Sequence, residues 1–240
     1  MINYFGGNIE HTKKDSGNII ELHKPKLTSR PSYEVVGDFS SAAFLIVAGV
    51  IAKESNILIK NVGLNPTRCG LIKVLQSMGA NIEILNQSVV CNEEVGDISV
   101  QSSKLKGIDV CGDIIPNIID EIPILSIAAS FAEGITTIKD AEELRVKESD
   151  RLAAISAGLF QIGVKHELFD DGIKIQGKSD DISVFAEINS FGDHRIAMSF
   201  LVASLRSEKG MFVKNCKNIF TSFPSFLETM NHLGIHINEA

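Results

Sequence analysis

Two arginines lie beside acidic residues where helices are predicted to begin, in a chain that has six arginines and 17 lysines. Arg151 ends the segment KESDR, and Arg195 ends GDHR at a corresponding point of a repeated pattern. An arginine in the first turn of a helix is unfavourable for the helix dipole, unless an anion is bound there. Ordinary ion pairs, Arg151 with Asp150 or Arg195 with Asp193, are the alternative. Because two arginines occupy such positions, the sequence favours an anion-binding site.

Other polar residues near these arginines have a functional and a structural interpretation. Asp120 opens an otherwise apolar helix, where an acid is often only an N-cap. The segment EELRVKESDR (142–151) has the composition of a solvated charge run, although apolar segments flank it on both sides. His194 taken alone is more typical of a capping or core histidine. Ser40 and Ser41 are good N-cap residues and are interpreted as structural.

Repeated elements must position these side chains. Three apolar helices begin near Ser40, Asp120 and His194 and are expected to be buried in parallel. The predicted segments are buried helices at 37–52, 119–134 and 191–205, outer helices at 66–79, 148–163 and 224–234, and strands at 56–62, 136–141 and 210–216. Glycines at 6, 79, 163 and 234 each end a helical run with a left-handed cap and precede alternating residues typical of a strand.

The repeats divide the chain into two parts. Residues 37–240 form an α/β domain of three units, each with one buried helix, one outer helix and short strands. Residues 1–36 differ and are interpreted as the C-terminal tail of a preceding domain. The Pro- and Lys-containing stretch at 23–36 is the predicted crossover between the two.

Composition excludes several classes of protein. The formal net charge of -7 argues against a nucleic-acid-binding surface, which is usually basic. Cysteines at 69, 91, 111 and 216 fit no metal spacing. The longest apolar run, 42–52, is too short to cross a membrane, and the N-terminal residues lack a signal-peptide pattern. The sequence therefore predicts a cytoplasmic protein with no metal, nucleic-acid or membrane partner.

Six segments together resemble the C-terminal half of the 5-enolpyruvylshikimate-3-phosphate (EPSP) synthase family, and its class II branch in particular. They are GDFSSAAF, NPTRCGLIKVLQSMGANIEI, IDEIPILSIAASFAEG, ELRVKESDRL, DHRIAMSFLVASL and TSFPSFLETMNHLG. The resemblance implies the inverse α/β enolpyruvyl transferase fold. It also implies transfer of the enolpyruvyl group from phosphoenolpyruvate to the 5-hydroxyl of shikimate 3-phosphate, a step of aromatic amino acid biosynthesis. No cofactor is implied.

The resemblance also implies a role for individual residues. Asp120, Lys147 and Glu148 match acid–base residues, and the first two also contact shikimate 3-phosphate. Arg151 and Arg195 match the residues that bind phosphoenolpyruvate, and a supporting pair is matched by Asp193 and His194. The sequence departs from many relatives at Phe39, where they have proline, and at Thr221, where some branches have lysine. No role is assigned to Thr221.

The family's N-terminal motifs are missing from this sequence. Its Lys-Ser motif, Gly-rich loop and most shikimate 3-phosphate contacts belong to that half, and a separate N-terminal half is the expected partner. The alternative is an inactive truncated or split-gene fragment, folded but not catalytic alone. A sister enzyme that uses UDP-N-acetylglucosamine has the same fold but lacks RVKESDR, which argues against it.

Overall fold

The computed structural model describes residues 1–14 and 17–239. Residues 15, 16 and 240 of the two predicted domains therefore lie outside the described residues. The seven α-helices of the described residues are α1 (Phe39–Ile51), α2 (Gly70–Ser77), α3 (Ile122–Ser130), α4 (Arg151–Gln161), α5 (His194–Ala203), α6 (Ile219–Ser222) and α7 (Phe226–His232). No helix among the described residues has the length and hydropathy needed to cross a membrane.

Eleven strands are described. They are β1 (Ile9–Lys14), β2 (Gly17–Leu22), β3 (Asn56–Gly63), β4 (Asn81–Val90), β5 (Glu93–Gln101), β6 (Asp109–Val110), β7 (Gly134–Ile138), β8 (Lys165–Leu168), β9 (Ile173–Gly177), β10 (Ala186–Asn189) and β11 (Met211–Lys214). The sheet orders are β1-β2, β3-β5-β4, β6-β7-β9-β8 and β10-β11. The mixed α/β architecture confirms the predicted fold class.

The three apolar helices α1, α3 and α5 form the centre of the molecule, as predicted. All nine residues of α3 are buried, and the three helices pack against one another. A helix that is apolar on nearly all of its faces can bury its side chains from water only if other elements pack against it on every side. The outer helices α2, α4 and α7 and the short strands provide that cover, and the helix boundaries differ from those predicted by one to four residues.

Arg206 joins the C-terminal ends of these three helices, which shows that they run in parallel. Its Nη1 donates a hydrogen bond to the carbonyl of Ile51 at the end of α1 (3.1 Å). Its guanidinium lies 4.9 Å from the ring centre of Phe131, directly after α3. It also pairs with Asp181, and that carboxylate contacts Lys53. Hydrogen bonds from Lys53 and Arg206 hold the pKa of Asp181 below its ordinary value.

The third repeat has fewer strands than the other two. In the first two, an outer helix ends at Gly79 or Gly163, and the strand that follows, β4 or β8, pairs with a neighbouring strand, β5 or β9. Gly234 has the predicted left-handed conformation (φ 86°), but the residues after it form no strand within the described part of the chain. The prediction of a strand after Gly234 is therefore wrong, and among the described residues β11 pairs only with β10.

Residues 1–36 differ in burial from the rest of the chain. Gly7 is the only buried residue among the described positions of this segment. Tyr4, Phe5 and Tyr33 form an aromatic cluster with ring centres 5.3–5.9 Å apart. Exposed apolar side chains in this segment are Met1, Ile2, Ile19, Ile20, Leu22, Leu27 and Val35. The division of the chain at Gly37 stays a prediction.

We expect Arg206→Gln to reduce the free energy of unfolding by about 2 kcal/mol. The substitution breaks a largely buried ion pair and removes the contacts at the ends of α1 and α3. Urea unfolding measures this change. Lys209→Gln is the matched control, because Lys209 is exposed and three residues away. Equal stability of the two variants would contradict the role of Arg206.

Candidate active site

The N-terminal ends of the three buried helices meet at one place. The Ser40 hydroxyl of α1 donates a hydrogen bond to Oε1 of Glu121, directly before α3 (2.6 Å). Arg195 in the first turn of α5 donates from Nη1 to the backbone carbonyl of Asp120 (3.0 Å). Residues from three distant parts of the sequence are therefore in direct contact, and the helix N-termini there favour negative charge.

Asp120 is the centre of this arrangement. It lies in a 3-10 turn (Ile119–Glu121) that leads into α3, and its side chain caps no helix, so the N-cap alternative is wrong. Four cations surround its carboxylate within 4 Å. The nitrogen-to-oxygen distances are 3.2 Å for Arg151, 3.6 Å for Arg68, 3.8 Å for Lys147 and 3.9 Å for Arg195.

The charge state of Asp120 follows from these neighbours. Burial acts to raise the pKa of its carboxyl group, but the positive charges of Arg195, Lys147, Arg151 and Arg68 lower that pKa overall. Asp120 is therefore ionised at neutral pH. An ionised carboxylate can accept a proton, which is the chemistry expected of an acid–base residue.

Arg151 is the most deeply buried of these cations, with 3% of its side chain exposed. Its Nε donates a hydrogen bond to Oδ2 of Asp193 (2.8 Å), and Ser149 donates to the same oxygen (3.1 Å). The other oxygen of Asp193 accepts the backbone N–H groups that begin α5. Asp193 thus caps α5 and holds Arg151 with one carboxylate. The alternative of an ion pair between Arg151 and Asp150 is wrong, because Arg151 pairs with Asp193 and Asp150 pairs with Arg145.

Arg151 and Arg195 begin different kinds of helix. Arg151 is the first residue of α4, an outer helix, whereas Arg195 is the second residue of the buried α5. They were expected at corresponding points of the repeat, and this expectation is wrong. They approach because Asp193, which caps α5, reaches across to Arg151. The side chain of Arg195 contacts Asp120 and Glu121, and only its backbone N–H binds Asp193.

Lys147, Glu148 and His194 complete the set of residues that the sequence analysis selected. Lys147 contacts both Asp120 and Glu143. His194 places Nδ1 2.8 Å from Oε2 of Glu148, whose side chain is 51% exposed. Glu148 is thus at the open edge of the cluster, next to solvent and to any molecule that enters. The structure brings all seven selected residues together, and their individual roles stay predictions.

Three residues of this cluster were missed or set aside by sequence reasoning. Ser40 is not an N-cap, because Asp38 caps α1 and Ser40 contacts the acids and arginines of the site. Arg68 donates from Nη2 to the Ser40 hydroxyl (2.8 Å). Glu121 is almost fully buried, at 2% exposure. Two sequence features could have marked these residues as members of the site. Arginine is scarce in the chain, which singles out Arg68, and Glu121 is an acidic residue next to an apolar helix.

The cluster is close to electrically balanced. Its four cations contact five carboxylates, which are Asp120, Glu121, Glu143, Glu148 and Asp193. Each guanidinium has five N–H groups, more than its carboxylate contacts use. An anionic ligand would therefore bind to the remaining N–H groups and to the helix N-termini rather than to a region of uncompensated positive charge.

A metal ion does not fit this cluster. Glu148, Asp193 and His194 offer ligand atoms within 4.8 Å of one another. However, Arg151 and Ser149 donate to one oxygen of Asp193, and backbone N–H groups donate to the other. A cation held there would lie beside the guanidinium of Arg151 and be repelled by it. The residues present favour a charge network of side chains.

Comparisons with known proteins identify the family. A family model described as EPSP synthase (3-phosphoshikimate 1-carboxyvinyltransferase) matches residues 1–230. The chain is 51% identical over 205 residues to the 3-phosphoshikimate 1-carboxyvinyltransferase of Legionella pneumophila (strain Lens), covering 85% of this chain and 47% of the relative. It is 47% identical over 228 residues to that of Petrotoga mobilis, covering 95% and 52%. The chain spans about half the length of the curated relatives it matches.

Solved structures agree with this assignment. EPSP synthase from Acinetobacter baumannii superposes with a TM-score of 0.92 at 38% identity, covering 99% of this chain and 54% of that one. The enolpyruvyl transferase NikO from Streptomyces tendae has a TM-score of 0.73 at 16% identity, covering 97% and 51%, which shows a shared fold. From the matched residues and the fold together, the chain belongs to the EPSP synthase family.

Proposed function

We propose that this chain is the C-terminal half of an enzyme that transfers the enolpyruvyl group of phosphoenolpyruvate to the 5-hydroxyl of shikimate 3-phosphate. One observation carries the proposal. The Asp120 carboxylate lies within 4 Å of the cationic groups of Lys147, Arg151 and Arg195, at the N-terminal ends of α3, α4 and α5. Both substrates carry a phosphate and a carboxylate, which are the groups that arginine side chains and helix N-termini bind.

The reaction needs proton transfer in both directions. The 5-hydroxyl oxygen bonds to the enol carbon of phosphoenolpyruvate, its proton is removed, and the methylene carbon gains a proton to give a tetrahedral adduct. The bond from the attacked carbon, which now carries the new ether oxygen, to the phosphate oxygen then breaks, phosphate leaves, and the methyl group loses a proton as the double bond re-forms. Asp120 accepts the proton of the 5-hydroxyl group, because its lowered pKa keeps the carboxylate ionised. Glu148, which is hydrogen-bonded to His194, transfers the proton to and from the methylene carbon.

The cations hold the two substrates in place. Arg151 and Arg195 bind phosphoenolpyruvate, and Lys147 binds shikimate 3-phosphate beside Asp120. Asp193 fixes Arg151 through its Nε, which leaves the outer nitrogens of that guanidinium directed to the cluster. Holding two anions in a fixed geometry is the main contribution such a site makes to the rate.

A complete site needs a second half. The matched relatives are about twice as long as this chain, and we propose that a separate N-terminal half supplies the rest, with residues 1–36 belonging to that domain. An inactive fragment is the second candidate, favoured by the same difference in length. The cytoplasmic location predicted from the sequence stays a prediction.

We expect the chain alone to catalyse the reaction at no useful rate. Each charge-assisted hydrogen bond to a substrate contributes on the order of 1.5–3 kcal/mol, so the loss of several slows the reaction by several powers of ten. The measurement is phosphate release from both substrates, with the chain alone and with the purified N-terminal half of the Legionella relative.

The three outcomes of this assay separate the candidates. Rescue by the added half supports the proposed transferase. Rapid turnover by the lone chain contradicts the need for a partner. If both pieces fold and bind each other but produce no phosphate, the inactive fragment is the correct interpretation.

In an active pair of halves, Asp120→Asn should lower turnover about 100-fold or more while changing substrate affinity far less. The amide keeps the shape of the side chain but cannot accept the hydroxyl proton. Asp113→Asn is the control, because that carboxylate is exposed. Steady-state kinetics separates the two parameters, and unchanged turnover in Asp120→Asn would refute the acid–base assignment.

A further inference from the structure

Arg68, Ser40 and Glu121 form a connected group that the proposed reaction does not use. Arg68 lies between β3 and α2, and its side chain is 47% exposed. Ser40 and Glu121 are buried, at 6% and 2% exposure. The three side chains bridge the loop before α2, the start of α1 and the turn before α3. Glu121 also contacts Arg195, whose Nη1 is 3.4 Å from the Glu121 carboxylate.

The direction of each hydrogen bond in this group is fixed by chemistry. The Ser40 oxygen accepts from Arg68, which can only donate, so the single hydroxyl proton of Ser40 points to Oε1 of Glu121 (2.6 Å). The lone pairs of that hydroxyl then remain for Arg68, which donates from Nη2 (2.8 Å). Arginine has no acceptor, so the order Arg68 to Ser40 to Glu121 has no reversed form. Glu121 therefore holds Arg68 through Ser40 and Arg195 directly.

Arg68 is held but not fully occupied. Among the described hydrogen bonds, its guanidinium makes one, to Ser40. Its Nη1 is 3.6 Å from Oδ2 of Asp120, the same carboxylate that Lys147, Arg151 and Arg195 surround. The remaining N–H groups of a half-exposed guanidinium can reach an anion placed at Asp120. Its exposure distinguishes Arg68 from Arg151, which is buried and held by Asp193.

We infer that Arg68 is a further anion-binding residue of this site, contacting a phosphate or carboxylate oxygen of a bound substrate, and that Ser40 and Glu121 are its positioning residues. This inference rests on the proposed function. Glu121 thus holds two guanidinium groups, those of Arg68 and Arg195, within 4 Å of the same Asp120 oxygen. A ligand anion bound there would meet an Arg68 that is already oriented, so less conformational freedom is lost on binding.

The stability of Glu121 variants gives a first test. Burial raises the pKa of Glu121, and the negative charge of Asp120 adds to this effect. Ser40, Arg195 and Arg68 act in the opposite direction but do not cancel it. Cys69 lies nearby and is neutral, because burial raises the pKa of its thiol to about 11. Because the pKa of Glu121 is higher in the native chain than in the unfolded chain, its ionisation lowers the free energy of unfolding as the pH rises through the native pKa. Glu121→Gln should therefore shift the urea midpoint upward relative to the unsubstituted chain at pH 8, with a smaller shift at pH 4. A midpoint lowered at pH 8 would show that the ionised carboxylate stabilises the native chain and would overturn this account of the charge of Glu121.

The direct test is the affinity of the whole chain for inorganic phosphate and for phosphoenolpyruvate, measured by titration calorimetry. Arg68→Gln should weaken binding about 10-fold, as expected when one charge-assisted hydrogen bond is lost. Lys73→Gln, which removes an exposed charge from α2, should change it less than about 2-fold. Ser40→Ala should weaken binding in the unsubstituted chain and have little further effect in Arg68→Gln, because both act through one contact.

The outcomes separate this inference from the proposed function. Loss of affinity in Arg195→Gln together with unchanged affinity in Arg68→Gln would overturn the inference and leave the anion site intact. No measurable binding of either anion by the unsubstituted chain would overturn the inference, whereas the proposed function is tested separately by phosphate release in the presence of the N-terminal half. Equal losses in Arg68→Gln and Lys73→Gln would reduce the effect to net charge and overturn the inference. Additive losses in the Ser40 and Arg68 variants would overturn the positioning role of Ser40.

Discussion

The buried contact between Arg151 and Asp193 is the interaction on which the site depends. It joins the first residue of α4 to the cap of α5, and both side chains are almost wholly excluded from solvent. Two charges removed from water are stable only when further hydrogen bonds satisfy them. Asp193 meets this condition with Ser149 and two backbone N–H groups, and Arg151 meets it with Asp120. The position of Asp120 among its cations follows from that network.

The two ends of the buried helices have different tasks. At the C-terminal ends, Arg206 closes the bundle with contacts to Ile51 and Phe131, and its partner Asp181 is held ionised. At the N-terminal ends, acids and arginines are packed together and Glu121 is buried with a raised pKa. Charge burial of this kind opposes stability, and proteins keep it where it serves binding or catalysis. The apolar helix bodies between the two ends are buried and stabilise the fold by removing apolar surface from water.

The sequence predicted the helices well because their signal is local. Apolar composition, Asp and Gly at the ends, and the repeat spacing place α1, α3 and α5 to within a few residues. The site was partly predicted, since Asp120, Lys147, Arg151 and Arg195 lie together. The sequence missed the contacts of Ser40 and Arg68, because they join distant parts of the chain: Ser40 contacts Glu121, 81 residues away, and Arg68 contacts Asp120, 52 residues away. The prediction of a strand after Gly234 failed for a similar reason, since a strand forms only beside a partner strand and local sequence does not show that partner.

The central claim is that the cations around Asp120 bind the anionic groups of two substrates. A crystal structure of the chain grown with phosphoenolpyruvate and shikimate 3-phosphate tests it most directly. The account predicts phosphate or carboxylate density in contact with Arg151 and Arg195, at the N-terminal ends of α4 and α5, with Arg151 still bound to Asp193. Substrate density at another surface, with the arginines contacting only their carboxylates, would contradict it.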